Sequence, residues 1–204
     1  MTAFLIEVTG RIVEEGKLNY MLNLYINILE RILFMDINQA LSFLKEHQPL
    51  LSDSEVDIEE IRGLDEVRKY FIENPDPDCI PLFLNVFGQG SGFGVYQLIE
   101  DVIIQFSNEE VIPHLVKSLL SDHQGVRYWS AQIASSFPDK RLIEPLSSMV
   151  NEQDSDLRWA AYIALGEIRD KAIFSILKSA LKNEKEPENY EILEDIIENY
   201  DLFE

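Results

Sequence analysis

Two stretches of the sequence decide the fold, Val126-Arg-Tyr-Trp-Ser-Ala-Gln-Ile-Ala-Ser-Ser-Phe-Pro-Asp139 and Leu157-Arg-Trp-Ala-Ala-Tyr-Ile-Ala-Leu-Gly-Glu-Ile-Arg-Asp170. The second follows the first at an offset of 31 residues and matches it apolar to apolar, with Arg127 against Arg158 and Tyr128 against Trp159. A fixed period of roughly 20 to 50 residues is typical of proteins built from stacked structural repeats. The sequence therefore predicts a repeating unit.

The same period extends over the second part of the chain. Residues 80–87 resemble residues 112–119, and residues 95–106 resemble residues 126–137. Each unit contains two apolar segments at helical spacing, and one helix pair alone is too small to bury its own apolar face. We therefore predict an all-α fold in which about four antiparallel helix pairs stack as an α-solenoid over residues 79–204.

The first 74 residues contain helical segments without an obvious period. A broad apolar stripe predicts a helix over residues 18–34, and Asp36 with Gln39 resembles a capping box that opens a short helix. Residues 1–74 are predicted to form an N-terminal helical cap region, joined with the array in one continuous structural domain.

Further start and stop signals follow in this region. Ser52 with Glu55 offers a second helix start, Gly63 is predicted to end that helix, and Asp65 is predicted to begin another. Asn74-Pro-Asp-Pro-Asp78 cannot continue a helix because its two prolines lack donors. We place the boundary of the array at this segment.

Residues 88–94 carry four glycines and lie between the helices of the first unit. Glycine adopts positive φ at little cost, which predicts a flexible interhelix loop. A phosphate-binding loop would need a preceding strand and a lysine after the last glycine, and the sequence has neither.

Charge and cysteine content limit the possible partners. The 204 residues include 37 acidic and 17 basic side chains, for a formal charge of −20. This charge repels nucleic acid and anionic membranes and favours a basic partner. The single cysteine, Cys79, is typical of a reducing compartment, and no stretch approaches the roughly 20 apolar residues that span a bilayer. We therefore expect a cytoplasmic protein that binds neither nucleic acid nor membrane.

The sequence contains no arrangement of residues typical of catalysis. His47, His114 and His123 lie on separate predicted elements without metal-ligand spacing, and no nucleophile is paired with a base. We expect a non-enzymatic protein without a metal or a cofactor.

The third unit resembles the HEAT-like repeat of the bilin-lyase type, on Leu157-Arg158, Ala161, Ala164-Leu165-Gly166, Ile168 and Asp170. The resemblance is strongest over residues 111–182. It implies stacked helix pairs whose second helices line a concave side. The arginines that begin these second helices are expected to bridge adjacent turns by pairing with Asp122, Asp139, Asp156 or Asp170.

The period predicts which positions of the second helices face outward. These are Gln97 and Asp101 in the first unit, Tyr128 and Gln132 in the second, Trp159, Ile163 and Glu167 in the third, and Glu191 and Asp195 in the fourth. Tyrosine and tryptophan are enriched among residues that carry binding energy, and carboxylates select basic partners. These nine residues are our predicted partner-binding surface, with the alternative that the aromatic rings fill gaps between units.

We therefore predict a repeat module that binds a basic protein partner on an acidic and aromatic concave face. Small acidic helical-repeat proteins resemble bacterial immunity proteins, which neutralise cationic toxins. The alternatives are a chromophore-handling protein similar to bilin lyases and an assembly scaffold. DNA-alkylation glycosylases also resemble these repeats, but the predicted inner helices have too few basic residues to hold a duplex.

Overall fold

The computed structural model describes residues 35–201, and the helix predicted over 18–34 lies outside this range. Residues 40–201 belong to one compact unit. All regular elements of the described residues are helical. The α-helices are α1 (Ile37–Glu46), α2 (Ile58–Glu73), α3 (Ile80–Phe83), α4 (Glu100–Ile103), α5 (Asn108–Ser118), α6 (Gln124–Ala134), α7 (Ile143–Met149), α8 (Ser155–Glu167), α9 (Lys171–Leu181) and α10 (Pro187–Asp201). Short 3-10 helices occupy Pro77–Cys79, Gly92–Gly94, Tyr96–Leu98 and Lys140–Leu142.

The array is an α-solenoid, as predicted. Helix α5 packs against α6, α7 against α8 and α9 against α10, and the second helices α6, α8 and α10 contact one another in that order. The core positions recur at the predicted offset of 31 residues, and all of them are buried: Val126, Ser130 and Ala134 in α6, and Leu157, Ala161 and Leu165 in α8. The repeating residues therefore build the interior of the stack. The division into a cap over 1–74 and an array over 79–204 stays a prediction.

The first unit is the least regular. The two helices predicted over 80–87 and 95–106 are reduced to the single turns α3 and α4, flanked by 3-10 turns. Gly90, Gly92 and Gly94 adopt positive φ values of 113°, 56° and 91°, a region in which a helix cannot continue. Ile80, Phe83, Phe87, Ile99 and Ile103 of this unit are buried nonetheless.

Helix α2 corrects one prediction. It runs without a break through Gly63 and Asp65, so the predicted helix end and restart at these positions are wrong. A Cβ at Gly63 would lie 2.6 Å from Cε2 of Phe43 in α1. The glycine therefore permits a close approach of two helices rather than a turn.

The two capping signals before α2 have different outcomes. The capping box of α1 is confirmed, because the Asp36 amide donates to Gln39 at 3.0 Å and the Gln39 amide donates to Asp36 at 2.9 Å. The Ser52 hydroxyl donates to Glu55 at 2.8 Å, but these residues form a turn. Helix α2 begins later, and Asp57 is its N-cap residue.

The start of the first segment in each unit is capped at the same point of the repeat. The carboxylates of Asp76, Asp139 and Asp170 accept the amide of the residue two positions later, at 2.8 to 2.9 Å. Ser107 occupies the equivalent point in the second unit and forms a capping box with Glu110. Such side chains satisfy amides that have no partner inside the helix.

The repeated arginines hold successive units together, although not through the predicted aspartates. Arg127 donates to the Ser121 carbonyl and Arg158 to the Glu152 carbonyl, both at 2.9 Å and both six residues earlier in the chain. Each then reaches a glutamate in the loop of the following unit, Arg127 to Glu152 at 3.3 Å and Arg158 to Glu184 at 2.7 Å. The predicted structural role is therefore supported with different partners.

Two of the expected aspartate partners pair with other cations. Asp139 pairs with Arg141 at 2.8 Å, and Arg141 also reaches Glu109 of the preceding unit at 2.8 Å. Asp170 pairs with Lys140 at 2.8 Å. Asp139 and Asp170 cap the first segments of their units, so their carboxylates point towards those segments. They therefore point away from the arginines of the second helices.

Candidate partner-binding site

One face of the first three units contains a cleft of about 250 Å³, which we call the aromatic cleft. Its lining is formed by Tyr96, Gln97, Glu100, Tyr128, Trp129, Gln132, Ile133 and Trp159. Four of the nine predicted site residues therefore lie together here, namely Gln97, Tyr128, Gln132 and Trp159. They come from three successive units, as equivalent positions of a stacked repeat should.

The other five predicted site residues lie outside the lining of this cleft. Asp101, Glu167, Glu191 and Asp195 are exposed, and Ile163 is half-buried. The four carboxylates are therefore exposed as an outward orientation requires and Ile163 only partly so, and the cleft does not gather these five residues.

A second cleft of about 470 Å³ lies on the other side of Tyr128 and Trp129, and we call it the loop cleft. Its lining is formed by Gln89, Gly90, Ser91, Gln124, Gly125, Tyr128, Trp129, Asp154, Asp156 and Leu157. Because Tyr128 and Trp129 line both clefts, these two rings form the wall between them.

Trp129 is fixed by contacts on several sides. Its ring stacks on Phe87 at 6.0 Å between centroids, and it meets Tyr96 and Tyr128 edge to face at 5.8 and 5.2 Å. Its indole Nε1 donates to the Gly90 carbonyl at 3.0 Å. The sequence gives no sign that the glycine loop packs on Trp129.

The glycine loop lies between the two segments of the first unit as predicted, and it is bound to the rest of the chain through Asp53, while its predicted flexibility stays a prediction. The Asp53 carboxylate accepts the amides of Ser91 and Gly92 at 2.8 and 2.9 Å, together with the Ser91 hydroxyl at 3.3 Å. Successive amides of this kind form an anion-binding concavity. The chain's own carboxylate already occupies it.

The start of the loop packs directly on α6. A Cβ at Gly125 would overlap the Gly88 carbonyl, so the backbones meet without an intervening side chain. The Gly88 amide donates to the buried Tyr96 hydroxyl at 3.1 Å. Tyr96 stands at the position of the repeated arginine, and burial raises the pKa of its phenol.

A hydrogen-bonded chain crosses the base of the loop cleft. Gln89 donates to Gln124 at 3.3 Å, and Gln124 donates to Asp154 at 2.7 Å. Asp154 in turn caps α8 by accepting the amides of Asp156 and Leu157 at 2.9 and 3.0 Å. Side chains from three units are therefore fixed relative to one another.

Both clefts have an acidic lining. Glu100 lines the aromatic cleft and accepts the Ser136 hydroxyl, while Asp154 and Asp156 line the loop cleft. Among the described residues, no lysine or arginine lines either cleft. Burial raises the pKa of Tyr128, and the negative charges of Asp156 and Asp154 raise it further.

Residues 112–194 match the family model of HEAT repeats. The matched segment runs from α5 into α10 and includes the two repeated stretches, residues 126–139 and 157–170. HEAT repeats are generally protein-interaction modules. A comparison with curated proteins returns no match.

In the part of the chain that the structure describes, no group of three or more histidine, cysteine, aspartate or glutamate side chains is placed to hold a metal ion. None of the helices in this part is long and apolar enough to cross a membrane. Cys79 is fully buried, and burial raises its pKa to about 12, so its thiol is not an available nucleophile.

Proposed function

We propose that this chain is a protein-binding repeat module that holds a basic protein partner on the face with the two clefts. The observation that carries the proposal is the aromatic cleft, which gathers Gln97, Tyr128 and Trp159 from three successive units. A partner that spans these units contacts a surface that forms only when the units stack.

The exposure of the aromatic rings supports binding. Tyr128 and Trp159 are half-buried, so each ring is held in place and still has surface that a partner can cover. Rings of this kind provide a large contact area at a low cost in side-chain entropy. The exposed carboxylates of Asp156 and Glu167 on α8, and the net charge of −20, would accelerate the approach of a cationic partner.

The finer form of the proposal is an immunity protein that neutralises a cationic toxin. Its support is the acidic charge together with the acidic lining of both clefts. The chromophore-handling and scaffold alternatives draw no support from a specific contact among the described residues.

Affinity capture from the native host tests the proposal. We expect the wild-type chain to retain a protein of high isoelectric point, and Trp159→Ala to weaken its binding at least tenfold, since one such ring contributes about 2 kcal/mol or more. Tyr70→Ala is the matched control, because this half-buried tyrosine of α2 lies outside both clefts. Circular dichroism should show that both variants stay folded. A neutral or acidic partner, or undiminished capture by Trp159→Ala, would refute the proposal.

A further inference from the structure

We infer that the loop cleft is a pocket for an arginine side chain of the partner protein. This inference rests on the proposed function and adds the chemical group that the partner inserts.

The charges of the cleft select a cation. Asp154 is used internally, since its Oδ1 accepts two amides at the start of α8 and its Oδ2 accepts Gln124. The partial positive charge of that helix terminus is therefore already countered. Asp156 is exposed, and its carboxylate makes no hydrogen bond or ion pair with any described residue. It is the acceptor that remains for a ligand.

The wall of the cleft favours a guanidinium group over an ammonium group. The rings of Tyr128 and Trp129 stand at 85° to each other with centroids 5.2 Å apart, and both line the cleft. A planar guanidinium stacks on an aromatic face while its N–H groups bind a carboxylate in a forked geometry. A lysine ammonium is a point charge and gains less from this combination.

The cleft is formed before a ligand arrives. Asp53 holds the loop at Ser91 and Gly92, and Trp129 holds it at Gly90. A pocket with a fixed rim binds without the cost of ordering a loop. Its volume of about 470 Å³ falls in the range of roughly 300 to 1,000 Å³ that is usual for binding pockets.

An anionic occupant does not fit. Asp154 and Asp156 would repel a phosphate or a carboxylate, and the amides of Ser91 and Gly92 that could bind one are taken by Asp53.

The test uses the tripeptide acetyl-Gly-Arg-Gly-amide and the full chain. The chain has two tryptophans, and a Trp159→Phe background leaves Trp129 as the single fluorescent reporter. Because Trp129 lines both clefts and Asp156 lines only the loop cleft, the variant Asp156→Asn assigns the signal to the loop cleft. We expect the arginine peptide to quench the Trp129 fluorescence saturably. Its affinity should fall at least fivefold in Asp156→Asn and should also fall when salt is added. We also expect at least threefold weaker binding of the lysine peptide and no binding of the glutamate peptide.

Asp122→Asn is the matched control, because this exposed carboxylate lies outside both clefts and outside the predicted partner-binding surface, and it should leave the titration unchanged. Equal losses in Asp156→Asn and Asp122→Asn would show only general charge attraction and overturn the inference. An absence of saturation, or equal binding of the lysine peptide, would overturn it as well.

Failure of the inference can be told apart from failure of the proposed function. If Asp156→Asn captures the native partner as well as the wild type does while Trp159→Ala loses it, the arginine pocket is refuted and the binding face stands. If Trp159→Ala leaves capture intact, the proposed function fails whatever the peptide shows.

Discussion

Arg158 and Glu184 form a bidentate ion pair between the third and fourth units. The Arg158 Nε donates to Glu184 Oε2 at 2.9 Å and its Nη2 donates to Oε1 at 2.7 Å. The Tyr162 hydroxyl donates to the same carboxylate at 2.9 Å, and the Glu184 side chain is fully buried. The loop between α9 and α10 is thus fastened to α8 by a carboxylate that water does not reach.

Removal of Arg158 should therefore be costly. Arg158→Ala leaves the Glu184 carboxylate buried and without its cation, and we expect the free energy of unfolding to fall by about 3 to 5 kcal/mol. Urea denaturation measures this loss. Arg141→Ala is the control, because its ion pairs are exposed and should matter much less. Equal losses in the two variants would contradict the importance of burial.

The same pair gives the stability of the chain a defined pH dependence. Arg158 holds the pKa of Glu184 well below its ordinary value of about 4.5, so the pair's contribution is present above that value and is lost as the pH falls towards the folded pKa. Glu184→Gln should be less stable than the wild type at pH 6, and the difference should shrink steadily by pH 3. Urea unfolding at each pH measures it, and a constant difference would exclude this linkage.

Asp53 should be required for the conformation of the glycine loop. Asp53→Ala removes the acceptor of two backbone amides, and we expect about 1 to 2 kcal/mol of lost stability together with faster hydrogen exchange at Gly92. Asp122→Ala replaces an exposed aspartate outside this contact and should leave the exchange unchanged. Unaltered protection of Gly92 in Asp53→Ala would mean that the other contacts hold the loop alone.

Phe93 has a backbone conformation that its side chain does not favour. It lies at φ 51° with its side chain 59% exposed, and asparagine tolerates this region better than bulky residues do. We expect Phe93→Asn to raise the free energy of unfolding by about 1 kcal/mol and Phe93→Val to lower it. Thermal unfolding of the two variants measures these opposite changes in stability. A loss of stability in Phe93→Asn would show that the contacts of the ring stabilise the chain by more than the backbone conformation destabilises it.

Ser130 should be replaceable with a gain in stability. Its buried hydroxyl has no hydrogen-bond partner among the described residues, and alanine stands at the equivalent position 161 of the next unit. Ser130→Ala should stabilise the chain by about 1 kcal/mol, because it removes an unsatisfied buried group and favours the helix. The reverse change, Ala161→Ser, should destabilise the chain. Chemical denaturation of both variants measures the two changes in the free energy of unfolding.

The sequence predicts the repeat array well because the signal is periodic. Val126, Leu157 and the other core positions are buried as expected, since a helix that stacks on its equivalent neighbour must bury equivalent residues. The prediction that Gly63 ends a helix is wrong for the opposite reason. The role of Gly63 depends on Phe43, 20 residues earlier, and no local pattern indicates that contact.

The binding face could be predicted only in part. The helical period gives the direction of each side chain, which is enough to bring Tyr128 and Trp159 to one cleft. It cannot show that a loop packs beside them, because the contacts of Asp53 and Trp129 with that loop join residues 38 or more positions apart. The sequence therefore does not predict the loop cleft, nor that Asp154 and Asp156 line it.

The contact between Gly88 and Gly125 also has an evolutionary consequence. Backbone meets backbone there, so the first two units have a fixed spacing that a copied or inserted unit would disrupt. The later units are joined by pairs that recur with the period, Arg127 with Glu152 and Arg158 with Glu184. Duplication of residues 140–170 would recreate the same pairs at each new junction. We therefore expect the array to be able to grow by tandem copying beyond the third unit, with the end that forms the clefts left unchanged.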